Sequence, residues 1–192
     1  SCAVPAIGGA VAGTAQELAG AWAAPDGIAE HLAVPQPGHD DYRSEREALE
    51  ELVGALSHGI EAIRDTRLLP FLGREGETPK PKSALFWRSG LTVPSIRASL
   101  EGMRDFLAAS QIGDATDADS LWVEDSTNFE FGNALRAADL VGAPVAEALA
   151  DPRQKQALDY MVIVTGSLQT LVGETLSQAL GLSVGFSSLD GD

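Results

Sequence analysis

A stripe of apolar residues at helical spacing runs between positions 49 and 63 of this chain. The six residues of the stripe are Leu49, Leu52, Val53, Leu56, Ile60 and Ile63. At about 100° per residue they fall on one side of a helix, whereas the apolar residues of a half-buried strand would alternate. Pro70 and Gly73 follow, and both are residue types that end helices. The pattern therefore predicts an amphipathic helix that buries one face.

Three other segments show the same periodicity and carry signals for helix boundaries. Pro25-Asp26-Gly27 ends a first helix, and a third helix begins near Thr92. Asp125-Ser126-Thr127 offers capping side chains for a fourth helix, which Pro144 is expected to kink or end. The loop over positions 73–93 is rich in glycine and proline and too long for a simple connection, which makes it a candidate functional segment.

The last helix has the clearest boundaries in the sequence. Asp151 is a preferred residue before a helix, and Pro152 suits the first helical position. Gly181 is a natural C-cap, and positions 182–192 are expected to form an irregular C-terminal tail. Because every long segment follows a period near 3.6 residues, we predict an all-α fold. The expected architecture is an up-and-down helical bundle of about four long helices with extra short helices.

The charge and the apolar content of the chain exclude some classes of partner. Its 13 basic and 28 acidic side chains give a formal net charge of −15. A surface this acidic repels phosphate groups, so we expect no nucleic-acid partner. No apolar run approaches the roughly 18 residues that a membrane-spanning helix needs. The single cysteine, Cys2, lacks a disulfide partner, and its position leaves two interpretations: a lipid anchor, or a chain that starts inside a larger protein.

An H-x-x-E pattern, His58-Gly59-Ile60-Glu61, lies on the second predicted helix. An imidazole and a carboxylate three residues apart can share one metal ion, which makes His58 and Glu61 candidate metal ligands. On the helical wheel both residues, together with Asp65, lie opposite the apolar stripe. The alternatives are a solvent-exposed polar face and a polar site that another domain covers.

The other two histidines, His31 and His39, lie in or near the loop that follows the first helix. With Asp40 and Asp41 beside it, His39 could contribute to weak metal binding, and a solvated loop is the alternative. Asp190-Gly191-Asp192 matches only the start of a calcium-binding loop, so no calcium site is expected there.

An aromatic ring and a guanidinium group stand together in Trp87-Arg88-Ser89-Gly90, just before the third predicted helix. Arginine offers a planar fork for a carboxylate or phosphate, and tryptophan offers a rigid apolar surface beside it. The N-terminus of the following helix also suits an anion. Trp87, Arg88 and Ser89 are therefore candidate ligand-binding residues. The alternative is that Trp87 closes one end of the bundle while Arg88 pairs with a carboxylate.

Separated parts of the chain together resemble one known family. These parts are the opening with Cys2 and Ala19-Gly20-Ala21-Trp22, the segment Phe86-Trp87-Arg88-Ser89-Gly90 with residues 96–103, and residues 180–192. They resemble the second, C-terminal half of the imelysin-like family, in the peptidase M75 grouping. Members commonly end in Gly-Phe-Asn-Ser-Leu-Asp-Gly-Asp, and here Ser187 stands in place of the Asn. The similarity spans essentially all of residues 1–192.

The resemblance implies an all-helical protein of two bundle-like halves in the bacterial cell envelope, periplasmic or associated with the outer membrane. It implies a role in iron acquisition, with iron or haem as ligand and iron or another divalent metal as cofactor. The expected partner is the N-terminal half of the same protein or a second chain. The family's G-x-H-x-x-E signature belongs to the first half. His58 and Glu61 match its H-x-x-E part only, with Leu56 at the glycine position.

Three functions remain open at the level of sequence. The chain is half of a binding protein for iron or haem uptake, with its ligand held between two helical halves. Alternatively, it belongs to a metallopeptidase, which requires a metal with an open coordination position and an activated water. A helical module for protein contact alone is the third. The chain has no G-x-S-x-G, P-loop, H-E-x-x-H or Gly-rich dinucleotide turn, so no complete motif supports catalysis.

Overall fold

A computed structural model describes residues 3–74, 76–142 and 144–182 of the chain. Within these ranges it contains helices and turns and no β-strand, which confirms the predicted all-α fold. The chain divides into two compact units, Ser1–Glu51 and Leu52–Asp192. No helix in the described ranges is both long enough and apolar enough to cross a membrane.

Five of the α-helices in the described ranges have between 17 and 20 residues, which agrees with the expectation of about four long helices. In chain order the α-helices are α1 (Ala3–Trp22), α2 (Ile28–Ala33), α3 (Glu45–Glu61), α4 (Leu69–Leu72), α5 (Thr92–Ser110), α6 (Trp122–Asp139), α7 (Val145–Ala150), α8 (Pro152–Gln169) and α9 (Ser177–Ala179). Two π-helical segments, Ala62–Leu68 and Thr170–Leu176, continue α3 and α8. Short 3₁₀ turns lie at Pro81–Ser83, Ile112–Ala115 and Ala118–Ser120.

The first unit encloses little apolar surface. Its long helix α1 is present as predicted, but Ile7 and Val11 are each 65% exposed and Leu18 is 68% exposed. Among residues 5–51, Ala48 alone is buried. The apolar side of α1 therefore stays uncovered within this unit.

The second unit is built around an apolar core between α5, α6 and α8. Helix α6 packs against both α5 and α8. The side chains of Phe131 on α6 and of Leu158 and Met161 on α8 are fully enclosed. Complete burial of such a side chain contributes about 1.5–3 kcal/mol. The members of the predicted apolar stripe that are buried in this unit are Val53, Leu56, Ile60 and Ile63.

The helix that begins with α3 changes its hydrogen-bond pattern before it ends. Its turns widen into the π-helical segment Ala62–Leu68, and α4 follows with Pro70 at its start. Proline has no N–H to donate to the carbonyl four residues earlier, and a π-helical turn redirects the bonds around such a position. Gly73 then ends the helix with a φ of +80°, which agrees with the sequence-based prediction.

The start of α6 differs from the prediction that Asp125-Ser126-Thr127 caps this helix. Helix α6 begins three residues earlier, at Trp122, and its N-cap residue Leu121 makes no side-chain cap bond. Thr127 is buried inside the helix, where its Oγ1 donates to the Val123 carbonyl at 2.7 Å. A threonine inside a helix can form a hydrogen bond to the carbonyl four residues earlier, so the presence of a capping residue type does not by itself mark a helix start.

The predicted start of the last helix is confirmed. The Asp151 carboxylate accepts hydrogen bonds from the backbone N–H groups of Arg153 at 2.8 Å and Gln154 at 3.1 Å. These bonds hold the pKa of Asp151 below its usual range, and the bond from Gln154 has the largest effect. At the other end, Gly181 has a φ of +65°, the left-handed conformation expected of a C-cap glycine.

Two sequence-based predictions fall outside the described ranges. One concerns Cys2, at the start of the chain. The other concerns positions 183–192, which include Asp190-Gly191-Asp192 and most of the predicted irregular tail. Both therefore stay predictions.

Candidate functional site

The segment between α4 and α5 carries the tryptophan and the arginine that were predicted to bind a ligand. The buried Thr92 hydroxyl donates to the Leu85 carbonyl at 2.6 Å and anchors this segment to the first turn of α5. Phe86 has a φ of +62°, in the left-handed region that residues other than glycine rarely occupy. The turn at Phe86 is followed by two exposed side chains, Trp87 and Arg88.

Two cationic side chains lie near the indole ring of Trp87. The guanidinium carbon of Arg88 is 5.1 Å from the ring centroid, and the Nζ of Lys82 is 6.0 Å from it. Both distances are within the range of cation–π attraction. Trp87 is 37% exposed, so part of its ring faces solvent. A surface cavity of about 380 Å³ adjoins the ring and is lined by Lys80, Pro81, Lys82, Trp87 and Ala146.

Three cations of this segment have no acidic partner among the residues that the structure describes. Within the described ranges, no carboxylate forms a salt bridge with Lys80, Lys82 or Arg88. Other cations do pair with carboxylates, namely Arg46, Arg64, Arg97, Arg104 and Lys155. Lys80, Lys82 and Arg88 lie close together in a chain whose acidic side chains outnumber its basic ones by 28 to 13. Arg88 is therefore open to an anionic ligand.

Ser89 has a different role from its two neighbours. Its hydroxyl donates to the Phe86 carbonyl at 3.1 Å, and its backbone N–H donates to the same oxygen at 3.1 Å. The side chain thus stabilises the turn that presents Trp87 and Arg88. Helix α5 begins at Thr92 with no acidic residue in its first turn, so the positive end of the helix dipole adds to the charge of Arg88.

The two residues of the H-x-x-E pattern lie in different environments. His58 is exposed, whereas Glu61 is 5% exposed. Of the two alternatives for this side of the helix, solvent exposure holds for His58 and is wrong for Glu61. A second element covers that side of α3: Ser57, one turn before Glu61, has its Oγ 3.0 Å from the position that a Cβ on Gly173 would take.

A metal site at His58 and Glu61 would need further ligands. Within the described ranges, one set of three potential ligand side chains lies close enough together to hold a metal ion. Its members are Asp26, His31 and His39. Neither His58 nor Glu61 belongs to it. The pair alone offers fewer than the three protein ligands of catalytic zinc sites. The metal-binding role of His58 and Glu61 stays a prediction.

Some residues near these candidates were missed by sequence analysis. Lys80 and Lys82 are two of the three lysines in the chain, and the run Pro79-Lys80-Pro81-Lys82 in an acidic sequence is a signal that could have identified them. Asp26 carried no such signal, because it was interpreted only as part of a helix-ending turn. Its proximity to His31 depends on the turn between α1 and α2, and its proximity to His39 depends on the loop after α2.

Comparison with known proteins identifies the family of the chain. The family model described as imelysin, peptidase M75, matches residues 3–171. The chain belongs to the imelysin family. No curated protein and no solved structure gives a match. The match begins with α1 and includes Trp87 and Arg88, so both candidate ligand-binding residues lie within the part of the chain that the family model covers.

Proposed function

We propose that this imelysin-family protein serves bacterial iron or haem uptake as a binding protein of the cell envelope, periplasmic or associated with the outer membrane. In this proposal Trp87 and Arg88 contact the ligand. The observation that carries it is the placement of Lys82 and Arg88 beside a partly exposed indole ring, with no carboxylate partner in the described ranges. Membership of the imelysin family supports the uptake role.

The chemistry of this segment selects a class of ligand. Haem carries propionate carboxylates on a flat ring, and ferric citrate carries carboxylates around its metal. The guanidinium of Arg88 is a planar fork that matches a carboxylate, and Lys82 adds a second positive charge. The face of Trp87 suits a flat apolar surface. The common ligand chemistry is iron held in a molecule that carries carboxylates.

A second helical half completes the site in this proposal, either the N-terminal half of the same protein or a second chain. Apolar side chains of the same segment support this arrangement, because Leu85 is 46% exposed, Phe86 is 50% exposed and Leu91 is 52% exposed. A cluster of exposed apolar groups beside a polar binding residue is typical of a surface that a partner covers.

Titration with haemin and with ferric citrate tests the proposal. Binding is followed by haem absorbance for the first and by quenching of tryptophan fluorescence for the second. The substitution Arg88→Glu is expected to lower the affinity for both about tenfold or more, because it replaces a charge-assisted bond with repulsion. The titration is made with this chain and with a longer protein that includes the preceding half, and we expect the longer protein to bind more tightly.

The matched control is Arg153→Glu, at an exposed position in the first turn of α8 where an acidic side chain suits the helix dipole. This variant should bind both ligands with unchanged affinity. Equal affinity of the Arg88→Glu and unmodified proteins would contradict the proposal, and so would the absence of binding in the longer protein. Peptide cleavage that chelators abolish and that His58→Ala removes would favour the metallopeptidase instead.

A further inference from the structure

A cluster of two histidines and two aspartates lies within the first unit. Nε2 of His31 lies 3.0 Å from Oδ1 of Asp26, which stands in the turn between α1 and α2. Nδ1 of His31 lies 3.1 Å from Oδ2 of Asp41, in the loop after α2. Each nitrogen of the His31 ring therefore contacts a carboxylate, one from a residue before His31 in the sequence and one from a residue after it.

His39 completes the cluster from the same loop. Its ring stacks on that of His31 with the centroids 3.9 Å apart and the planes inclined by 21°. One ligand atom each of Asp26, His31 and His39 lies within 4.8 Å of the others. Nδ1 of His39 is buried and has no hydrogen-bond partner within the described ranges. A buried ring nitrogen without a partner is uncommon and suggests a missing ligand.

We propose that Asp26, His31 and His39 bind a divalent transition-metal ion and that Asp41 orients His31 for this purpose. A histidine ligand commonly donates its second ring N–H to a carboxylate, which fixes the tautomer and leaves the other nitrogen with a lone pair. The bond between Nδ1 of His31 and Asp41 supplies that arrangement. Nε2 of His31 then faces Asp26, and the ion takes the place of the proton that these two groups share.

The spacing of one pair of ligand atoms, on His31 and Asp26, fits a small ion. Two ligand atoms bound at about 2.1 Å to one ion stand roughly 3.0–3.4 Å apart for angles between octahedral and tetrahedral values. Nε2 of His31 and Oδ1 of Asp26 are 3.0 Å apart. Nearly parallel rings direct their lone pairs side by side, so the ring of His39 has to turn out of the stack to bind the same ion. Rotation about the side-chain bonds of His39 is therefore part of the proposal.

The donor set also selects the kind of metal. Two imidazoles and one carboxylate suit zinc, cobalt and iron in the divalent state, and they leave coordination positions for water or another ligand. Calcium and magnesium prefer oxygen ligands throughout, so they are expected to bind weakly here. All three proposed ligands lie in the first unit, whereas Trp87 and Arg88 lie in the second.

Isothermal titration of the untagged chain with Zn²⁺, and absorbance with Co²⁺, test the proposal. We expect binding of one ion per chain and no comparable heat with Mg²⁺ or Ca²⁺. His39→Ala and Asp26→Asn should each lower the affinity for Zn²⁺ about tenfold or more, because each removes a direct ligand. Asp41→Asn should lower it about 10- to 100-fold, the usual effect of losing the group that orients a ligand.

Two matched controls separate this site from other binding. His58→Ala removes the third histidine of the chain, and Asp40→Asn removes a neighbouring carboxylate outside the cluster. Both should leave the Zn²⁺ affinity unchanged. The side chain of His39 makes no hydrogen bond within the described ranges, so its removal leaves the bonds of His31 in place.

Three results would overturn the proposal. One is the absence of Zn²⁺ and Co²⁺ binding, which would make the cluster a hydrogen-bonded histidine between two carboxylates only. Another is unchanged affinity in both His39→Ala and Asp26→Asn. The third is loss of binding in His58→Ala, which would place the ion on the H-x-x-E pattern instead.

Discussion

The two units of the chain are held together in different ways. In the second unit, side chains such as Phe131, Leu158 and Met161 are fully enclosed, and long helices contact one another along this core. In the first unit, Ala48 alone is buried among residues 5–51, and the conspicuous contacts are the hydrogen bonds of His31. The second unit therefore has an enclosed apolar core, whereas the first shows polar contacts around His31 and little burial.

This difference shows where the isolated chain leaves apolar surface uncovered. The large apolar residues of α1 are each more than half exposed; they are Ile7, Val11, Leu18 and Trp22. A continuous apolar helix side of this kind is typical of a surface that a partner covers. The expected second helical half would supply such a cover, and the predictions below test the contrast between the two units.

The largest effect is expected in the core of the second unit. Phe131→Ala should lower the free energy of unfolding by about 3–5 kcal/mol, because it leaves a cavity where the phenyl ring was enclosed. Urea denaturation followed by circular dichroism measures this value. The matched control is Phe129→Ala on the same helix, where the side chain is 64% exposed and the change should stay within about 0.5 kcal/mol. Equal losses in the two variants would contradict the assignment of the core.

A smaller effect is expected at the start of α8. Asp151→Ala should lower the melting temperature, because the backbone N–H groups of Arg153 and Gln154 lose their acceptor. Asp159→Ala on the same helix removes only an exposed pair with Lys155 and should have less effect. A larger loss in the Asp159 variant would show that the cap does not stabilise the helix.

The contribution of Asp151 should also depend on pH. The hydrogen bonds from Gln154 and Arg153 lower the pKa of this carboxyl from its ordinary value of 3.8. Its stabilisation is therefore fully present above that value and is lost as the pH falls through the lowered pKa. The difference in melting temperature between the unmodified protein and Asp151→Ala should stay constant near neutral pH and disappear in acid. A difference that grows in acid would contradict this sign.

The smallest effect is expected in the first unit. Leu18→Ala should change the free energy of unfolding of this chain by no more than about 0.5 kcal/mol, because the side chain is already exposed. In a longer protein that contains the second helical half, the same substitution should be clearly more destabilising. A large loss in the isolated chain would show that α1 packs its apolar side after all.

Patterns that repeat along one element were readable from the sequence. The apolar stripe before Ile63 and the Asp151-Pro152 start predicted helices that the structure contains, because helical spacing and backbone capping are local properties. The same holds for Gly73 and Gly181, whose positive φ angles end helices. Membership of the imelysin family was likewise anticipated from short matching segments and is confirmed.

Features that depend on two distant elements were not readable in this way. Glu61 is buried, and Ser57 one turn earlier lies close to Gly173 of the π-helical segment Thr170–Leu176, a proximity that no local pattern shows. Thr127 satisfies its hydroxyl inside α6, so its residue type alone misplaced the helix start. The contact of Asp26 with His31 needs a turn that brings side chains from different segments together.

The most direct test of the central claim maps the iron ligand on the protein by nuclear magnetic resonance. Paramagnetic ferric iron broadens the amide signals of nearby residues, so haemin and ferric citrate report their own position. We predict that both broaden signals of residues 80–91, around Trp87 and Arg88, and that Arg88→Glu removes the effect. Broadening confined to residues around His58, with residues 80–91 unaffected, would contradict the account.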